Sequence, residues 1–307
     1  MTSKSSILLT GAGGFIGRAI QAELESFDII SLSRKAGDII HDLTSSAPKL
    51  PPADIVVHCA GKAHVVPKTE AERKAFFDVN VGGTRNLLKG IELSGSLPHA
   101  FVLISTVAVY GVETGVLITE QQPLNAVEPY GLSKIQAEEM VLEWCEKHSV
   151  TCTILRLPLV AGPNPPGNLG SMIRAIRHGY YFNIDNGGAK KSVVLASDVA
   201  AIIPKAASIG GIYNLTDGYH PTFAEIATNI AAALGKSKPL TMPGTLARLL
   251  AKIGDIVGRS FPLNSRKLKI ISTDLTFDDT KAQATLNWKA NAVLSAFRAT
   301  LNQVGHV

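Results

Sequence analysis

Tyr130 and Lys134, in the stretch YGLSK, are the residues whose types and spacing point most directly to chemistry. Four residues apart on a helix, the two side chains share one face. An isolated tyrosine has a pKa of about 10, but a neighbouring ammonium stabilises the phenolate and allows proton exchange near neutral pH. The pair predicts an acid/base tyrosine assisted by Lys134; an ordinary surface pair with the same spacing is the alternative.

Two hydroxyl residues, Ser105 and Thr106, end the apolar run AFVLIST. Side chains at the carboxyl ends of parallel strands point into the crevice where ligands bind. One of these hydroxyls is expected to hydrogen-bond a substrate oxygen and orient it for Tyr130. The alternative is that both only cap local backbone.

The stretch TGAGGFIG places Gly11, Gly14 and Gly17 between a strand-like run and a helical pattern. Glycines in that setting allow a tight turn, close approach of the backbone to a pyrophosphate, and close packing of helix on strand. The free N–H groups of the helix N-terminus face the phosphates. The sequence therefore predicts a dinucleotide site here.

The stretch SLSRK spans the end of the second predicted strand, where such sites usually carry an acid that binds the adenosine ribose. Ser33 stands at that position and Arg34 follows it. A hydroxyl and a guanidinium suit a 2′-phosphate, which arginine can bind with paired hydrogen bonds. NADP(H) is therefore the favoured cofactor; a solvated basic turn with NAD(H) bound is the alternative.

Short apolar runs alternate with helical patterns through the first half of the chain. Strands are predicted at Ser6–Gly11, Asp28–Ser33, Asp54–Gly61, Ala100–Gly111 and Thr151–Gly162, and helices at Phe15–Ser26, Ala71–Gly95 and Ser133–His148. Strands that are apolar throughout belong to parallel sheets covered on both faces. The predicted fold is α/β, a Rossmann-type doubly wound parallel sheet with a smaller mixed α/β C-terminal substrate lobe.

Helix breakers crowd together in GPNPPGNLG, residues 162–170, and suggest the start of a second lobe. Two later strand-like runs, Ser192–Ser197 and Gly211–Thr216, are expected to return to the sheet or flank it. We therefore assign residues 1–165 and about 191–217 to a dinucleotide-binding domain. Residues 166–190 and 218–307 are assigned to a substrate-binding lobe.

Composition excludes several classes of protein. Charged residues make up 18% of the chain, which argues against disorder, and the net charge of +5 is spread without a basic block, so no nucleic-acid partner is expected. The three cysteines lack metal-ligand or CxxC spacing, which indicates reduced thiols and a cytoplasmic location. No metal site is expected.

No apolar window is long enough to predict a membrane span. The most apolar helical stretch, Leu246–Val257, is interrupted by Arg248, Lys252 and Asp255. Its apolar positions repeat at helix spacing. We expect it to dock against the body of the protein rather than lie on a membrane.

Several motifs in this order resemble the extended short-chain dehydrogenase/reductases, in the branch of nucleotide-sugar epimerases, dehydratases and reductases. The motifs are the glycine loop, HCAG (58–61), DVNVGGT (78–84), ISTVAVYG (104–111), YGLSK (130–134), ILRLPLVAGP (154–163), KSVVLASDVA (191–200), YNLTDGYHPTFAEI (213–226) and LTFDDTKAQATLNW (275–288). The resemblance covers nearly the whole chain. It is specific for the branch and much less so for the substrate.

The resemblance implies that Thr106, Tyr130 and Lys134 are catalytic, with Lys134 lowering the pKa of Tyr130 and holding the nicotinamide ribose. It implies cofactor contacts from Gly11, Gly14, Phe15, Ile16, Gly17, Ser33, Arg34, Asp42, Leu43, Cys59, Ala60, Gly61, Asn80, Ser105, Tyr130, Lys134 and Pro158. Substrate contacts are expected from Asn168, Lys191 and Arg266. Leu159 departs from the asparagine of many family epimerases, which Asn164 or Asn168 is expected to replace.

The same residues allow more than one reaction. Dehydration is disfavoured because Val107 and Ala108 stand where that mechanism needs an acid/base pair. The first choice is an NADPH-dependent reductase of a nucleotide-linked 4-keto-6-deoxy sugar, such as UDP-4-keto-6-deoxy-N-acetylhexosamine, for surface polysaccharide. The alternatives are a UDP-hexose or UDP-N-acetylhexosamine 4-epimerase and a non-catalytic NADP-binding protein.

The resemblance also implies a homodimer through the helices near 71–95 and 133–148.

Overall fold

The protein is described by a computed structural model that covers residues 4–258 and 263–302, with side chains described up to residue 297. Residues 259–262 and 303–307, which belong to the predicted C-terminal lobe, lie outside the described residues. The strands are β1 (Ser6–Thr10), β2 (Asp28–Ser33), β3 (Ile39–Ile40), β4 (Ile55–His58), β5 (Ala100–Thr106), β6 (Gly115–Ile118), β7 (Thr151–Leu157), β8 (Leu159–Ala161), β9 (Asn183–Ile184), β10 (Val193–Leu195), β11 (Gly211–Asn214), β12 (Thr241–Met242) and β13 (Leu275–Phe277). The α-helices are α1 (Phe15–Glu23), α2 (Glu70–Phe77), α3 (Gly83–Leu93), α4 (Pro129–His148), α5 (Gly167–Arg177), α6 (Ala196–Ile209), α7 (Phe223–Ala233), α8 (Gly244–Val257), α9 (Ser265–Ser272), α10 (Thr280–Leu286) and α11 (Val293–Asn302).

Seven strands form one parallel sheet in the order β11-β7-β5-β4-β1-β2-β3. The chain runs outward from β1 through β2 and β3, then returns to β4 on the other side of β1. The strand order therefore reverses beside β1, and a crevice opens there beyond the carboxyl ends of β1 and β4. This sheet confirms the predicted Rossmann-type doubly wound fold.

Buried apolar side chains cover both faces of this sheet. One face packs residues of β1, β7 and α6 with Trp288, and the other packs α3 and α4 around Phe101 and Trp144. Both clusters need strands that are apolar throughout, which is why runs such as SILLT carry no polar alternation.

A separate cluster of buried residues forms the core of the smaller lobe, around α5, α7 and α11. It includes Val193 and Leu195 of β10, which pairs with β8 in a small sheet and not with the main one. Of the two strand-like runs beyond residue 190, only β11 returns to the main sheet, beside β7. Ala282, Leu286 and Trp288 pack against the main sheet. The division into domains stays a prediction, and these contacts cross it.

Several predicted elements have different boundaries in the structure. The predicted strand Ala100–Gly111 ends at Thr106, and the predicted strand Thr151–Gly162 is divided into β7 and β8. The predicted helix 71–95 is α2 and α3 joined by a π-helical turn, Asp78–Gly82. Helix α4 begins at Pro129 and not at Ser133, because proline suits the first helical position. The predicted strand Ser192–Ser197 ends at Leu195, where α6 begins.

Helix α8 contains the stretch Leu246–Val257, which was expected to dock against the body of the protein. It docks on the protein, but through its small residues Gly244, Ala247, Ala251 and Gly254, which are buried. The large apolar side chains face outward. Small side chains let the helix backbone approach the protein closely, so the opposite face is left without cover.

Candidate active site

The glycine loop between β1 and α1 leaves no room for side chains. Gly11 has a φ of +69°, and a Cβ there would lie 2.7 Å from the backbone nitrogen of Ala60. A Cβ on Gly17 would lie 2.3 Å from the carbonyl oxygen of Gly11. Glycine is therefore required at both positions, the first for the turn and the second for packing α1 on the loop. Gly13 has no neighbour at its missing side chain and faces open space.

A cavity of about 490 Å³ opens in front of this loop. It is lined by Gly11, Gly13, Gly14, Leu32, Ser33, Arg34, Lys35, Ala36, His41, Asp42, Leu43, Thr44, Cys59, Ala60, Gly61, Lys62 and Val79. The glycine cradle, the helix N-terminus and the cationic lining fit a dinucleotide. These residues would hold its adenosine and pyrophosphate.

Nine of the predicted cofactor residues line this cavity: Gly11, Gly14, Ser33, Arg34, Asp42, Leu43, Cys59, Ala60 and Gly61. Phe15 instead lies beside Gly162, and Ile16 and Gly17 pack inward with α1. Pro158 is half-buried just after β7. Gly13 and Lys62 were not singled out from the sequence, although the first lies in the glycine loop and the second follows HCAG.

The turn after β2 presents two cations to the cavity. The Ser33 hydroxyl donates to the Ala36 carbonyl and accepts from the backbone N–H of Ala36, so this side chain shapes the turn that carries Arg34 and Lys35. The nearby carboxylate of Asp38 is turned away and accepts from the backbone and hydroxyl of Ser31. No acid therefore stands at the ribose position of the described turn.

Asp42 is the carboxylate among the residues that line the cavity. The backbone N–H and the hydroxyl of Thr44 hold the pKa of Asp42 below its usual value, and Arg34 contributes in the same direction. Its negative charge is thereby fixed beside the adenosine end of the cavity and partly balanced by Arg34.

Asn80 ties the cavity to the helix that carries the tyrosine. It lies in the π-helical turn, where its Oδ1 accepts from the Lys62 backbone N–H at 2.7 Å. Its Nδ2 donates to the Ser133 hydroxyl at 2.9 Å, and that hydroxyl donates to the Tyr130 carbonyl. π-Helical turns are frequent at functional sites, and this one aims Asn80 between the two segments. Its amide is engaged with protein atoms and fixes their spacing.

His58 is buried beneath the cavity in a fixed tautomer. Thr84 donates its proton to the Asn80 carbonyl, so His58 Nε2 must donate to the Thr84 hydroxyl. A neutral imidazole with its proton on Nε2 has an accepting Nδ1, so Thr10 donates to Nδ1 at 2.6 Å, and the Thr10 oxygen also accepts from the Ala60 backbone N–H. Burial lowers the pKa of His58 to about 3. The ring is neutral and structural, and it orients the segment 58–61.

Tyr130 and Thr106 meet at the mouth of the crevice. Thr106 ends β5 and Tyr130 lies in the first turn of α4, where its ring is 6.1 Å from that of Phe76. Burial raises the pKa of Tyr130, and a hydrogen bond from the Thr106 hydroxyl acts in the opposite direction. The Thr106 oxygen also accepts from the Ala108 N–H, which holds the hydroxyl in place.

Lys134 lies one turn further along α4, and its ammonium donates to the Ile104 carbonyl at 2.7 Å. Burial lowers the pKa of Lys134 to about 8, and the nearby carboxylate of Glu138 raises it. In this geometry the ammonium is directed to the Ile104 carbonyl and burial raises the pKa of Tyr130, so the part of Lys134 in lowering that pKa stays a prediction. Burial also raises the pKa of the neighbouring Cys59 thiol to about 12, so this sulfur stays protonated.

A buried ion pair next to Lys134 was not predicted from the sequence. Glu138 and Arg156 are almost fully buried, with Oε2 and Nη2 2.7 Å apart. Ser105 donates its hydroxyl proton to Glu138, so its side chain belongs to this network, and its contact with the cofactor stays a prediction. Arg156 also donates to the Tyr110 hydroxyl, which in turn donates to Asn214. The position of Glu138, one helical turn after Lys134, was the available signal.

The three predicted substrate residues do not form one cluster. Asn168 is exposed on α5. The Lys191 ammonium is buried and donates to the carbonyls of Ile270 and Thr273, and burial lowers its pKa to about 8. Arg266, at the start of α9, pairs with Glu113 and Glu128 on the surface. Lys191 and Arg266 thus both anchor α9, and the part of each in substrate binding stays a prediction.

One further polar group in the smaller lobe was not singled out from the sequence. The Oδ1 of Asn183 is buried on β9 and has no hydrogen-bond partner among the described residues. Within the same residues, no group of three or more acidic, histidine or cysteine side chains is arranged to hold a metal ion. Among the helices of the described chain, none is both long and apolar enough to cross a membrane.

The comparison with known proteins agrees with this geometry. The profile of the NAD dependent epimerase/dehydratase family matches residues 7–215, and the chain belongs to this family. A UDP-glucose 4-epimerase from Vibrio cholerae is 30% identical, over 92% of this chain and 90% of that protein.

Two further relatives are named for different substrates and different reactions. An N-acetyl-alpha-D-glucosaminyl-diphospho-ditrans,octacis-undecaprenol 4-epimerase from Escherichia coli O157:H7 is 26% identical, over 91% of this chain and 89% of that protein. A GDP-6-deoxy-D-mannose reductase from Pseudomonas aeruginosa is 30% identical, over 45% of this chain and 46% of that protein. The chain is an NAD(P)-dependent enzyme of the nucleotide-sugar epimerase and reductase type, which sets aside the non-catalytic alternative.

Proposed function

We propose that the protein is an NADPH-dependent reductase of a nucleotide-linked 4-keto-6-deoxy sugar, such as UDP-4-keto-6-deoxy-N-acetylhexosamine, used for surface polysaccharide. The observation that carries the proposal is the turn 33–36. Arg34 and Lys35 line the cavity beyond β2, and the nearby Asp38 is turned away from it. This arrangement favours a 2′-phosphate, and NADPH is the cofactor that a reductase consumes.

The chain supplies the proton for this reaction. The nicotinamide, when bound, supplies hydride to the keto carbon. The Tyr130 phenol gives its proton to the carbonyl oxygen, and the Thr106 hydroxyl beside it orients that oxygen. The raised pKa of Tyr130 keeps the phenol protonated, as a general acid must be before it transfers its proton.

Lys134 stabilises the phenolate that remains, provided that its own ammonium is charged. Its pKa of about 8 leaves it mostly protonated at neutral pH. The same group is expected to hold the nicotinamide ribose. The crevice outside the carboxyl ends of β4 and β5 therefore has an acid, an orienting hydroxyl and a cation within one small region.

Arg34→Asp tests the choice of cofactor. We expect this substitution to weaken NADPH binding by about 10- to 100-fold, because attraction between the Arg34 guanidinium and the 2′-phosphate is replaced by repulsion from a carboxylate. NADH binding should change much less, because NADH lacks that phosphate. The measurement is the dissociation constant of each cofactor by fluorescence titration. Arg85→Asp, an exposed arginine on α3, is the matched control and should leave both constants unchanged. Equal weakening of NADPH and NADH by Arg34→Asp would refute the assignment.

Tyr130→Phe tests the proton donor. We expect kcat to fall by about 100- to 10,000-fold, the usual contribution of a general acid, with NADPH binding retained. Single-turnover oxidation of NADPH with a 4-keto-6-deoxy nucleotide sugar is the measurement. Turnover at the rate of the unaltered protein would remove Tyr130 from the mechanism.

A 4-epimerase of a UDP-hexose or UDP-N-acetylhexosamine is the second candidate. Two 4-epimerases match about nine-tenths of this chain, and this observation favours the candidate. Such an enzyme returns the hydride to the sugar and normally keeps NAD bound. The protein should therefore be purified, denatured and its released nucleotide identified. Tightly held NAD supports the epimerase, and an empty site that oxidises added NADPH with a keto sugar supports the reductase.

A further inference from the structure

Helix α8 exposes a continuous row of large apolar side chains. Leu246, Leu249, Ile253 and Ile256 follow one another at spacings of three and four residues and are 45%, 57%, 40% and 87% exposed. We call these four residues the α8 stripe. Four large apolar residues on one exposed helical face are unusual for a monomeric surface, and such a patch marks an interaction site.

The apolar surface extends beyond the stripe at both ends. Val257 is exposed at the C-terminal end of α8. At the other end, the paired strands β9 and β12 lead into α8, and exposed Phe182 and Leu240 immediately precede them. The result is a shallow, outward-facing surface carried by one helix and its entry strands.

Basic residues border the stripe. With 100° between successive residues, Arg248 and Lys252 lie on the flank of α8 between the stripe and the buried small residues. Asp255 is the acid on α8, and its carboxylate accepts from the backbone and hydroxyl of Ser265. Lys269 is exposed on α9, which packs against α8. Arg248 and Lys252 therefore give this flank of the stripe a positive charge, and the net charge of the chain is also positive.

This combination selects among the possible occupants. A second copy docked stripe to stripe would bring two sets of Arg248 and Lys252 together, and like charges would oppose it. An anionic bilayer meets both features, because apolar side chains enter the boundary between headgroups and acyl chains while cations bind the lipid phosphates. With 14 residues, α8 is too short to cross a bilayer and would lie along its surface.

Helix α9, which packs against α8, is bonded to the start of the helix that carries Tyr130. Arg266 of α9 donates to Glu113 and to Glu128 at 3.0 Å. Glu128 is the residue before α4 and two positions from Tyr130. A bilayer bound to α8 would therefore lie on the side of the protein where the α8–α9 pair meets the start of the catalytic helix.

We propose that the α8 stripe, with Arg248, Lys252 and Lys269, is a docking surface for an anionic membrane. The stripe inserts at the headgroup boundary and the cations bind phosphate groups of the lipids. The proposal does not depend on whether the reaction is a reduction or an epimerisation.

Flotation with lipid vesicles tests the proposal directly. The unaltered protein should float with vesicles of equal parts phosphatidylglycerol and phosphatidylcholine, less with phosphatidylcholine alone, and less at high salt. The double variant L249Q/I253Q should bind the anionic vesicles at least about tenfold more weakly, because two apolar side chains are lost from the inserted face. R248Q/K252Q should lose the preference for the anionic lipid.

Leu93→Gln is the matched control, since Leu93 is an exposed leucine at the end of α3, away from the stripe. It should bind vesicles like the unaltered protein, and thermal unfolding should be the same for all variants because every changed side chain is exposed. Absence of binding to anionic vesicles, or equal binding by L249Q/I253Q, overturns the proposal. So does a change of sedimentation from dimer to monomer in L249Q/I253Q, which would assign the stripe to a second copy.

Discussion

At the scale of single residues, the site depends on how burial changes the protonation of a few side chains. Desolvation raises the pKa of Tyr130, lowers that of Lys134 to about 8 and keeps His58 neutral. Each shift disfavours the charged form, as expected for groups removed from water. The carboxylate of Glu138 is the neighbour that preserves the charge on Lys134.

Glu138→Gln should therefore change the pH dependence of the reaction. Without the carboxylate, the pKa of Lys134 should fall further below its usual range, and the phenolate would lose its cation at lower pH. We expect the alkaline limb of kcat/KM to move about one pH unit lower. The pH profile of kcat/KM is the measurement, because it reports groups of the free enzyme.

The neighbouring Glu139→Gln is the control, because Glu139 is exposed on the same helix. It should leave the profile unchanged. Glu138→Gln also removes the charged partner of buried Arg156, so thermal unfolding must be recorded in parallel. An unshifted alkaline limb in a folded Glu138→Gln protein would contradict a part for Glu138 in tuning Lys134.

At the scale of elements, the turns between them decide where the functional groups stand. The α1 helix packs on its loop only because Gly17 lacks a side chain, and α4 begins at Pro129, which places Tyr130 in its first turn. The π-helical turn places Asn80 between Lys62 and Ser133. These details were beyond the sequence patterns, which locate a helix well but its first residue poorly.

Gly17→Ala should weaken the binding of both cofactors together. The added methyl group would lie 2.3 Å from the Gly11 carbonyl, so α1 must move away from the loop. We expect a loss of about 1–3 kcal/mol in the free energy of unfolding, measured by chemical denaturation. NADH and NADPH should be affected alike, unlike in Arg34→Asp.

Gly13→Ala separates packing from cofactor approach. The missing side chain of Gly13 has no neighbour within 4 Å, and the residue lines the cavity. This substitution should leave the free energy of unfolding nearly unchanged but should weaken the binding of the cofactor. If the Gly17→Ala protein proved as stable as the Gly13→Ala protein, close packing of α1 on the loop would not require glycine at position 17.

At the scale of the whole molecule, the order of the strands brings distant residues to one crevice. β1, β4 and β5 end beside one another, so the glycine loop, Cys59 and Thr106 reach the same edge from widely separated stretches of sequence. The sheet was predictable because its strands are apolar throughout. The small β8–β10 sheet was not, because a three-residue strand carries too little pattern.

The helices α2, α3 and α4 are predicted to form a homodimer. Leu142 is exposed on α4 within that surface, so Leu142→Glu should convert the dimer to a monomer by burying an unpaired charge at the interface. Sedimentation velocity is the measurement. Leu249→Gln, on the α8 stripe, should leave the association state unchanged. A monomeric unaltered protein would contradict the prediction.

The sequence by itself determined the local features of this protein: the glycine loop, the one-turn spacing of Tyr130 and Lys134, and the basic turn after β2. These depend on backbone geometry and residue type within a few positions, so they can be recognised without the fold. Only the tertiary structure decided which groups pair, because the Glu138–Arg156 ion pair and the direction of the Lys134 ammonium join separate elements. It also decided which face of α8 is buried, since a helix with both small and large apolar residues can pack through either, and close approach of the backbone favoured the small ones.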